Sequence, residues 1–373
     1  MDIVLLIGSL AVILVAAELF TNGIEWFGHR LNLAEGAVGS VLAAVATAMP
    51  ETLIPVIAIL GPVLFGGDPE TSHAIGTGAI LGAPFMLSTL AMFVTGVAVL
   101  SFSRTRERPT ELRVNVRVLG RDILFFVVGY AIAIGTAFVP AELVWVRWVA
   151  AAVLLSLYAY YVRLHFRDEP EESDPDELNQ LHATRLPGMA GPHTLDIDIL
   201  PGEKDSWEVE GAVPRMRIIV SQVVLALALI IIGAQVFVGA VEHLSTVIGL
   251  DPTILALIIA PIATELPEKF NSVLWVRTGK DTLAMGNITG AMVFQSCLPT
   301  VLGLLFTSWL FTPETAISFL SAGVAFVAVG LIFGTMWLRG RLSAWTLLIG
   351  GPLYLVYVYL ALFTPLGVVG NGH

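Results

Sequence analysis

Two short stretches hold carboxylates where a hydrophobic chain can least accommodate them. Ala46-Thr47-Ala48-Met49-Pro50-Glu51 and Ala263-Thr264-Glu265-Leu266-Pro267-Glu268-Lys269 each interrupt a long apolar run with a threonine and, four residues on, a glutamate preceded by proline. An ionisable group inside a bilayer-spanning helix costs roughly 2.5–3.5 kcal/mol on insertion scales, so a functional site is its default meaning. At helical spacing Thr47 and Glu51 share one helix face, as do Thr264 and Glu268. The proline removes an intrahelical hydrogen bond and frees a carbonyl one turn back. Carboxylate, hydroxyl and freed carbonyl then form an oxygen-rich patch suited to a hard cation.

The elements that position these groups follow from composition. The chain has 373 residues, 56 % hydrophobic and only 13 % charged, with a mean hydropathy of +0.83, whereas globular chains carry about 25 % charged residues. Apolar runs of the roughly 20 residues needed to cross a bilayer recur along nearly its whole length. The expected fold is an all-α polytopic membrane protein; the alternating ten-residue segments of a barrel are missing. Hydropathy predicts ten transmembrane helices, at about 3–28, 36–60, 74–101, 121–139, 142–163, 217–241, 252–276, 283–309, 315–337 and 343–364. The first is too long and too lightly flanked for a cleavable signal and carries Glu18, so it is read as a retained span. A single cysteine, Cys297, excludes a disulfide framework and is expected to be a buried, inert thiol.

The net charge of −11 comes mostly from one hydrophilic stretch, which includes the acidic, proline-rich run 168–177. That run is too charged to bury and reads as disordered; the alternating piece 194–200 could form a small hairpin. The stretch divides the chain into a first five-helix repeat (1–166), an acidic linker (167–214) and a second five-helix repeat (215–373). The offset that carries Glu51 onto Glu268 also carries Ala17-Glu18-Leu19-Phe20 onto Ala234-Gln235-Val236-Phe237 and Glu25 onto Glu242. Five spans is an odd number, so the second half enters the membrane with the opposite orientation: an inverted-topology repeat, with its site near the midplane. If the halves pack about a pseudo-two-fold axis, Glu51 and Glu268 converge. Two like charges there need a cation between them, or one takes a proton. Arg104, Arg106, Arg108, Arg113, Arg117 and Arg121 crowd one link, and the links on the opposite side carry almost no Lys or Arg. The termini are therefore expected to be extracytoplasmic and the linker cytoplasmic.

Gly78-Ala79-Ile80-Leu81-Gly82-Ala83-Pro84 follows the first motif and Gly286-Asn287-Ile288-Thr289-Gly290-Ala291-Met292 the second. Glycines four apart allow close helix approach, which is reason enough for them. Taken together, the duplicated Ala-Thr-Xaa-Leu/Met-Pro-Glu, the inverted halves of five spans and the Gly-Asn-Xaa-Xaa-Gly element resemble the alpha repeats of the cation/calcium exchanger superfamily. The resemblance covers nearly the whole membrane portion. It implies exchange of calcium or another cation against sodium or protons by alternating access, with Glu51 and Glu268 as central ligands and Thr47 and Thr264 adding oxygens. Asn271 and Ser272 match the polar pair that follows the family motif. Departures are equally specific: the family's glycine before the threonine is Ala46 or Ala263, and its serine after it is Ala48 or Glu265. A further family serine falls on Ala83 and Ala291, and the polar ligand one turn later on Leu87 and Gln295. Several oxygens that would complete separate sodium sites are thus missing, against ordinary three-sodium exchange.

The candidate cation ligands are Thr47, Glu51, Thr264, Glu265, Glu268 and Gln295. Lys269, four residues after Glu265, has two readings: an intrahelical ion pair with Glu265 that places an ammonium where relatives bind sodium, or a side chain snorkelling to the surface. Glu18 either supports the ligands or serves a proton path, or else sits near the interface or bonds a neighbouring helix, while Glu25, Glu242 and His243 sit at span ends. Trp145 and Trp148 around Arg147 fit an aromatic belt. The expected function is secondary active antiport of Ca2+ against Na+ or H+. A proton-coupled exchanger of Na+ or another cation is the alternative, and a non-transporting sensor or channel a third class. No enzyme motif is present: there is no His-Glu-Xaa-Xaa-His, nucleophile elbow or phosphate loop. The expected partners are inorganic cations and the lipid bilayer. No resident cofactor and no nucleic acid are expected, and a monomer is compatible with the layout.

Overall fold

The computed structural model describes residues 2–30, 49–66, 68–106, 108–165, 181–185, 214–277 and 279–364. Thr47, the acidic run 168–177 and the hairpin expected over 194–200 lie outside the described residues. The helices are α1 (Asp2–Arg30), α2 (Met49–Phe65), α3 (Pro69–Met86), α4 (Met92–Ser101), α5 (Val116–Thr136), α6 (Val144–His165), α7 (Met216–Ile248), α8 (Pro252–Arg277), α9 (Asp281–Phe306), α10 (Ala316–Arg339), α11 (Ala344–Leu347) and α12 (Gly350–Phe363). Among the described residues eight helical spans are long and apolar enough to cross a membrane, with α3 and α4 forming one and α11 and α12 another. Two shorter apolar stretches, Glu51–Leu64 and Pro252–Ile262, belong to α2 and α8.

Capping residues move some boundaries from those expected. Asp68 accepts hydrogen bonds from the backbone amides of Glu70 (3.3 Å) and Thr71 (3.1 Å), so α3 begins at Pro69 and not near 74. Asn115 accepts from the amides of Arg117 (3.1 Å) and Val118 (3.3 Å), starting α5 five residues before the hydropathic run. Between α3 and α4 the helix widens into a π-turn at Leu87–Ala91, three residues after Pro84, which lacks an amide proton. Gly350 of α12 lies against the Thr89 carbonyl of this turn, where any Cβ would overlap it.

Helix approach is closest where glycine allows it. α1 and α7 lie side by side, with Gly23 against Val223 and Gly233 against Ile13. α3 crosses α8 with Gly78 and Gly82 on the backbone carbonyls of Thr253 and Leu257. The close-packing reading of the first glycine pair is what the structure displays. α9 lies against α5 and α6. On α6, Trp145, Trp148, Val149 and Val153 are exposed while Ala150, Ala151 and Leu154 are buried, the layout of a helix with one face to lipid.

The expected all-helical fold has one small exception. Glu111 and Leu112 pair with Ser343 and Leu342 in a two-residue antiparallel ladder, which ties the Arg-rich link to the link before α11. In the same layer Arg106 is buried: it donates to the Val276 carbonyl at the end of α8 and to Asp281 at the start of α9. The amide of Arg113 donates to the same Asp281 oxygen at 2.8 Å. A cation at a helix C-terminus and an anion at an N-terminus both complement the helix dipoles.

A solvated tether is not the whole account of the linker. Leu181 is fully buried beside Trp26 and Ile219, and His182–Arg185 form a 3-10 turn. The His182 amide donates to Asn22 (3.0 Å) and the Ala183 amide to Gln222 (2.7 Å), so this piece rests on α1 and α7 together. Glu18 is exposed and faces the His182 ring at 3.5 Å, which removes it from the core of the protein.

Candidate functional site

Three helices meet at the first motif. Glu51 sits in the first turn of described α2, and its side chain is buried, 5 % exposed. One carboxylate oxygen accepts a hydrogen bond from the Gln295 side-chain amide of α9. Gln295 is itself 1 % exposed, so this bond is made away from water, where a charge-assisted hydrogen bond is strong. Glu51 also lines a cavity of about 10 Å³ with Ile54 of α2, Ala79 and Ala83 of α3, and Ala260, Pro261 and Thr264 of α8. That is about the space one water molecule needs. The void therefore accommodates a single atom-sized species and no organic substrate.

The Gly78 and Gly82 contacts build this geometry. Close approach of α3 to α8 brings Ala79 and Ala83 to the cavity beside Pro261 and Thr264. The Thr264 hydroxyl donates to the Ala260 carbonyl one turn back at 3.1 Å, leaving the lone pairs of its oxygen available to a ligand. The next residue, Glu265, is fully buried. A hard cation takes oxygen ligands at 2.3–2.6 Å if calcium, and among the described residues lining this cavity the side chains of Glu51 and Thr264 carry oxygens of that kind.

Of the six residues predicted as ligands, the structure unites Glu51 and Gln295 by a direct bond, and Glu51 and Thr264 across the cavity. Glu265 is buried in the same helix, next to Thr264. Thr47 lies outside the described residues, and for Glu268, Lys269 and Asn271 only the backbone of α8 is described. Ser272 is buried and donates to the Ala284 carbonyl of α9 at 3.4 Å, so it fastens α8 to α9. Ala83 forms a wall of the cavity where the family pattern would put a hydroxyl. Leu87 is buried within the π-turn.

Two buried carboxylates escaped the sequence reading, Asp281 in its pair with Arg106 and Asp122. Asp122 of α5 is 1 % exposed; it accepts from Tyr161 of α6 at 3.1 Å and from Thr289 of α9 at 2.7 Å. Placing the span at 121–139 put this residue at the membrane edge beside Arg121, whereas the helix begins at Val116. The Asn115 cap was the signal that would have exposed it. Cys297 is free and buried, as expected. Arg147 donates to the carbonyls of Thr307 (3.4 Å) and Ser308 (2.7 Å), closing the far end of α9.

Comparison with known proteins agrees with this architecture. The family model described as "Sodium/calcium exchanger protein" matches residues 1–167 and 218–363, leaving out little besides the linker. The chain is 22 % identical over 292 residues to the putative antiporter CaxA of Alkalimonas amylolytica, covering 77 % of this chain and 75 % of that one. It is 23 % identical over 311 residues to the sodium/calcium exchanger MaX1 of Methanosarcina acetivorans, covering 83 % of each. Among solved structures the H+/Ca2+ exchanger CAX superposes with a TM-score of 0.65 at 17 % identity, over 98 % of this chain and 83 % of that one. The sodium-calcium exchanger NCX_Mj gives 0.54 at 15 %, over 97 % and 99 %. With a family match over both membrane portions, the chain belongs to the sodium/calcium exchanger protein family.

Proposed function

We propose that this cation/calcium antiporter moves Ca2+ against protons, with Glu51 as the cation-binding and proton-binding carboxylate of the site. The observation that carries the reading is the cavity: about one water in size, bordered by Glu51 and Thr264, and walled by Ala79 and Ala83. Among its described walls are the oxygens of Glu51 and Thr264, and Ala83 where the family pattern has a serine. A carboxylate that loses its cation in a low-dielectric site can take a proton in its place, which makes cation and proton alternative occupants. The names of two similar proteins, an H+/Ca2+ exchanger and a sodium/calcium exchanger, bracket the two coupling ions. The sodium-coupled reading rests on the second.

In this reading ten transmembrane helices form two inverted five-helix repeats, over 1–166 and 215–373, joined by the linker 167–214. Glu268, Glu265 and Thr47 complete the ligand set from the two motifs. The two shorter apolar stretches adjoin the motifs, one opening on Glu51 in α2 and the other ending at Ile262 in α8, and they support counting α2 and α8 with the eight longer spans. Interrupted or short spans at corresponding positions of two halves are where transporters place their sites. The positive-inside pattern supports extracytoplasmic termini and a cytoplasmic linker.

The test is isotope flux in proteoliposomes under an imposed pH gradient or an imposed sodium gradient. The expected result is Ca2+ movement driven by the pH gradient alone, abolished in Glu51→Gln with normal insertion. Full transport by Glu51→Gln would overturn the site, and a sodium gradient as the sole effective drive would overturn the coupling.

A further inference from the structure

We propose that Asp122, together with Thr289 and Tyr161, forms a second proton-binding site, separate from the cation cavity and linked to it through α9. The inference rests on the proton-coupled reading above and assigns a residue that the cation site does not use.

The argument begins with hydrogen-bond inventory. Asp122 is buried at 1 % exposure, and each of its oxygens meets a hydroxyl: Tyr161 on one, Thr289 on the other. A threonine hydroxyl has one proton and two lone pairs. The Thr289 oxygen lies within reach of three acceptors, the Asp122 oxygen at 2.7 Å, the Met285 carbonyl at 3.1 Å and the Gly286 carbonyl at 3.5 Å. With Asp122 ionised, both hydroxyls donate to it. With Asp122 protonated, its new O–H donates to the Thr289 oxygen, and the Thr289 proton turns to the Met285 carbonyl. Tyr161 keeps its bond throughout. Neither state leaves a donor or acceptor of the trio unsatisfied, and the change between them is one hydroxyl rotation. An unsatisfied buried polar group is costly, so a carboxyl that is satisfied both with and without its proton can titrate without that penalty. Here the bond formed is O–H on Asp122, the proton coming from solvent and leaving to solvent.

The surroundings suit this role. Arg121 precedes Asp122 on α5 and is the charged group that acts on it; α6 faces it with Tyr161, whose own neighbour is Tyr158. α9 carries two titratable groups, each eight residues from Thr289: Cys297, which lies against Gly129, two turns further along α5, and the buried carboxylate Asp281, which is held by Arg106 and the Arg113 amide. α10 brings the neutral indole of Trp337 to Gly120. Asp122 therefore has hydroxyl partners in direct contact, while the carboxylate of α9, Asp281, is held by Arg106 instead. Thr289 and Gln295 are six residues apart on α9, about 9 Å along the axis. A change in how Asp122 holds Thr289 is thus delivered to the helix whose Gln295 holds Glu51.

The experiment compares wild type with Asp122→Asn, Thr289→Val and Tyr161→Phe in proteoliposomes. It records Ca2+ flux and proton flux against pH, with Ca2+ affinity measured on the purified proteins. In Asp122→Asn the pH profile is expected to flatten and the protons moved per Ca2+ to fall, with Ca2+ affinity within about threefold of wild type. Thr289→Val removes a donor from the ionised form, and its profile is expected to move toward alkaline pH. A pH-difference infrared spectrum should show a buried carboxyl signal in wild type that is missing from Asp122→Asn. If wild type moves no protons, the coupled-exchange reading and this inference fail together. If wild type moves protons but Asp122→Asn keeps the wild-type profile, stoichiometry and infrared signal, the inference alone is overturned. Should Asp122→Asn not fold, an unshifted profile in both Thr289→Val and Tyr161→Phe overturns it equally. A purely structural Asp122 would lower the maximal rate in the variants and leave the profile in place.

Discussion

Replacing Gly82 by alanine tests whether the α3–α8 crossing sets the size of the cation cavity. The added Cβ would overlap the backbone carbonyl of Leu257 and lie 2.8 Å from Cγ of Pro261. Neither neighbour can rotate away, because one is backbone and the other a ring. Restoring ordinary contact, at 3.4–4 Å, requires the helices to part by roughly 1 Å, since close-packed interiors transmit such strain. Overpacking of this kind costs about 1–3 kcal/mol of stability. The functional effect is larger than that figure suggests. Thr264 is seven residues from Leu257 on α8 and borders the same cavity as Ala83, the neighbour of Gly82. Calcium accepts oxygens within a window of about 0.3 Å (2.3–2.6 Å), and a misplacement of about 1 Å commonly lowers the rate of a positioned reaction by about 100-fold. The expected result is a folded protein with a lower thermal midpoint and Ca2+ flux reduced by about two orders of magnitude. Gly8→Ala and Gly239→Ala are the controls, since their added Cβ atoms meet nothing within 4 Å. Wild-type flux and an unchanged midpoint in Gly82→Ala would show that the crossing does not set the cavity.

Two other outcomes follow from groups away from the cavity. Arg106→Ala leaves Asp281 buried without its guanidinium, and breaking a buried pair of this type costs about 3–5 kcal/mol; a double-mutant cycle with Asp281→Asn in detergent melts checks whether the loss belongs to the pair. Asp68 is held below the usual carboxylate range, first by the Thr71 hydroxyl and then by the Thr71 and Glu70 amides. Because the folded value is the lower one, its contribution is present above the ordinary carboxylate range and is lost as pH falls through the depressed value. The stability gap between wild type and Asp68→Ala should therefore be full near neutral pH and close in acid, as melting curves across that range would reveal.

The two motifs and the helical class were legible because a carboxylate in an apolar run has few meanings and a span has a minimum length. Gln295 could be matched by resemblance, but its partner could not. Its bond to Glu51 depends on where α9 crosses α2, and no local pattern encodes a contact between residues 244 positions apart. Asp122 was hidden for a different reason: hydropathy measures where a run is apolar, while an Asn115 cap decides where the helix starts. The docked turn at Leu181 was concealed by composition. Its acidic neighbours in sequence dominate any window average, and a single leucine filling a gap beside Trp26 leaves no trace in it. The π-turn likewise came from Pro84 and the Gly350 contact acting together, across two halves of the chain.

A void of about one water's volume has a consequence for the ion itself. Whatever cation enters arrives hydrated, and the space beside Glu51 cannot admit its shell along with it. Binding there therefore requires the ion to exchange its waters for protein oxygens, and ions differ in how readily they allow this. Magnesium sheds its waters reluctantly and insists on a near-octahedral shell at 2.0–2.1 Å, whereas calcium accepts six to eight oxygens in loose arrangements. If this cavity is the cation site, as proposed above, dehydration is a barrier that favours calcium over magnesium. The two alanines, chemically the plainest residues at the site, are what keep the shell out.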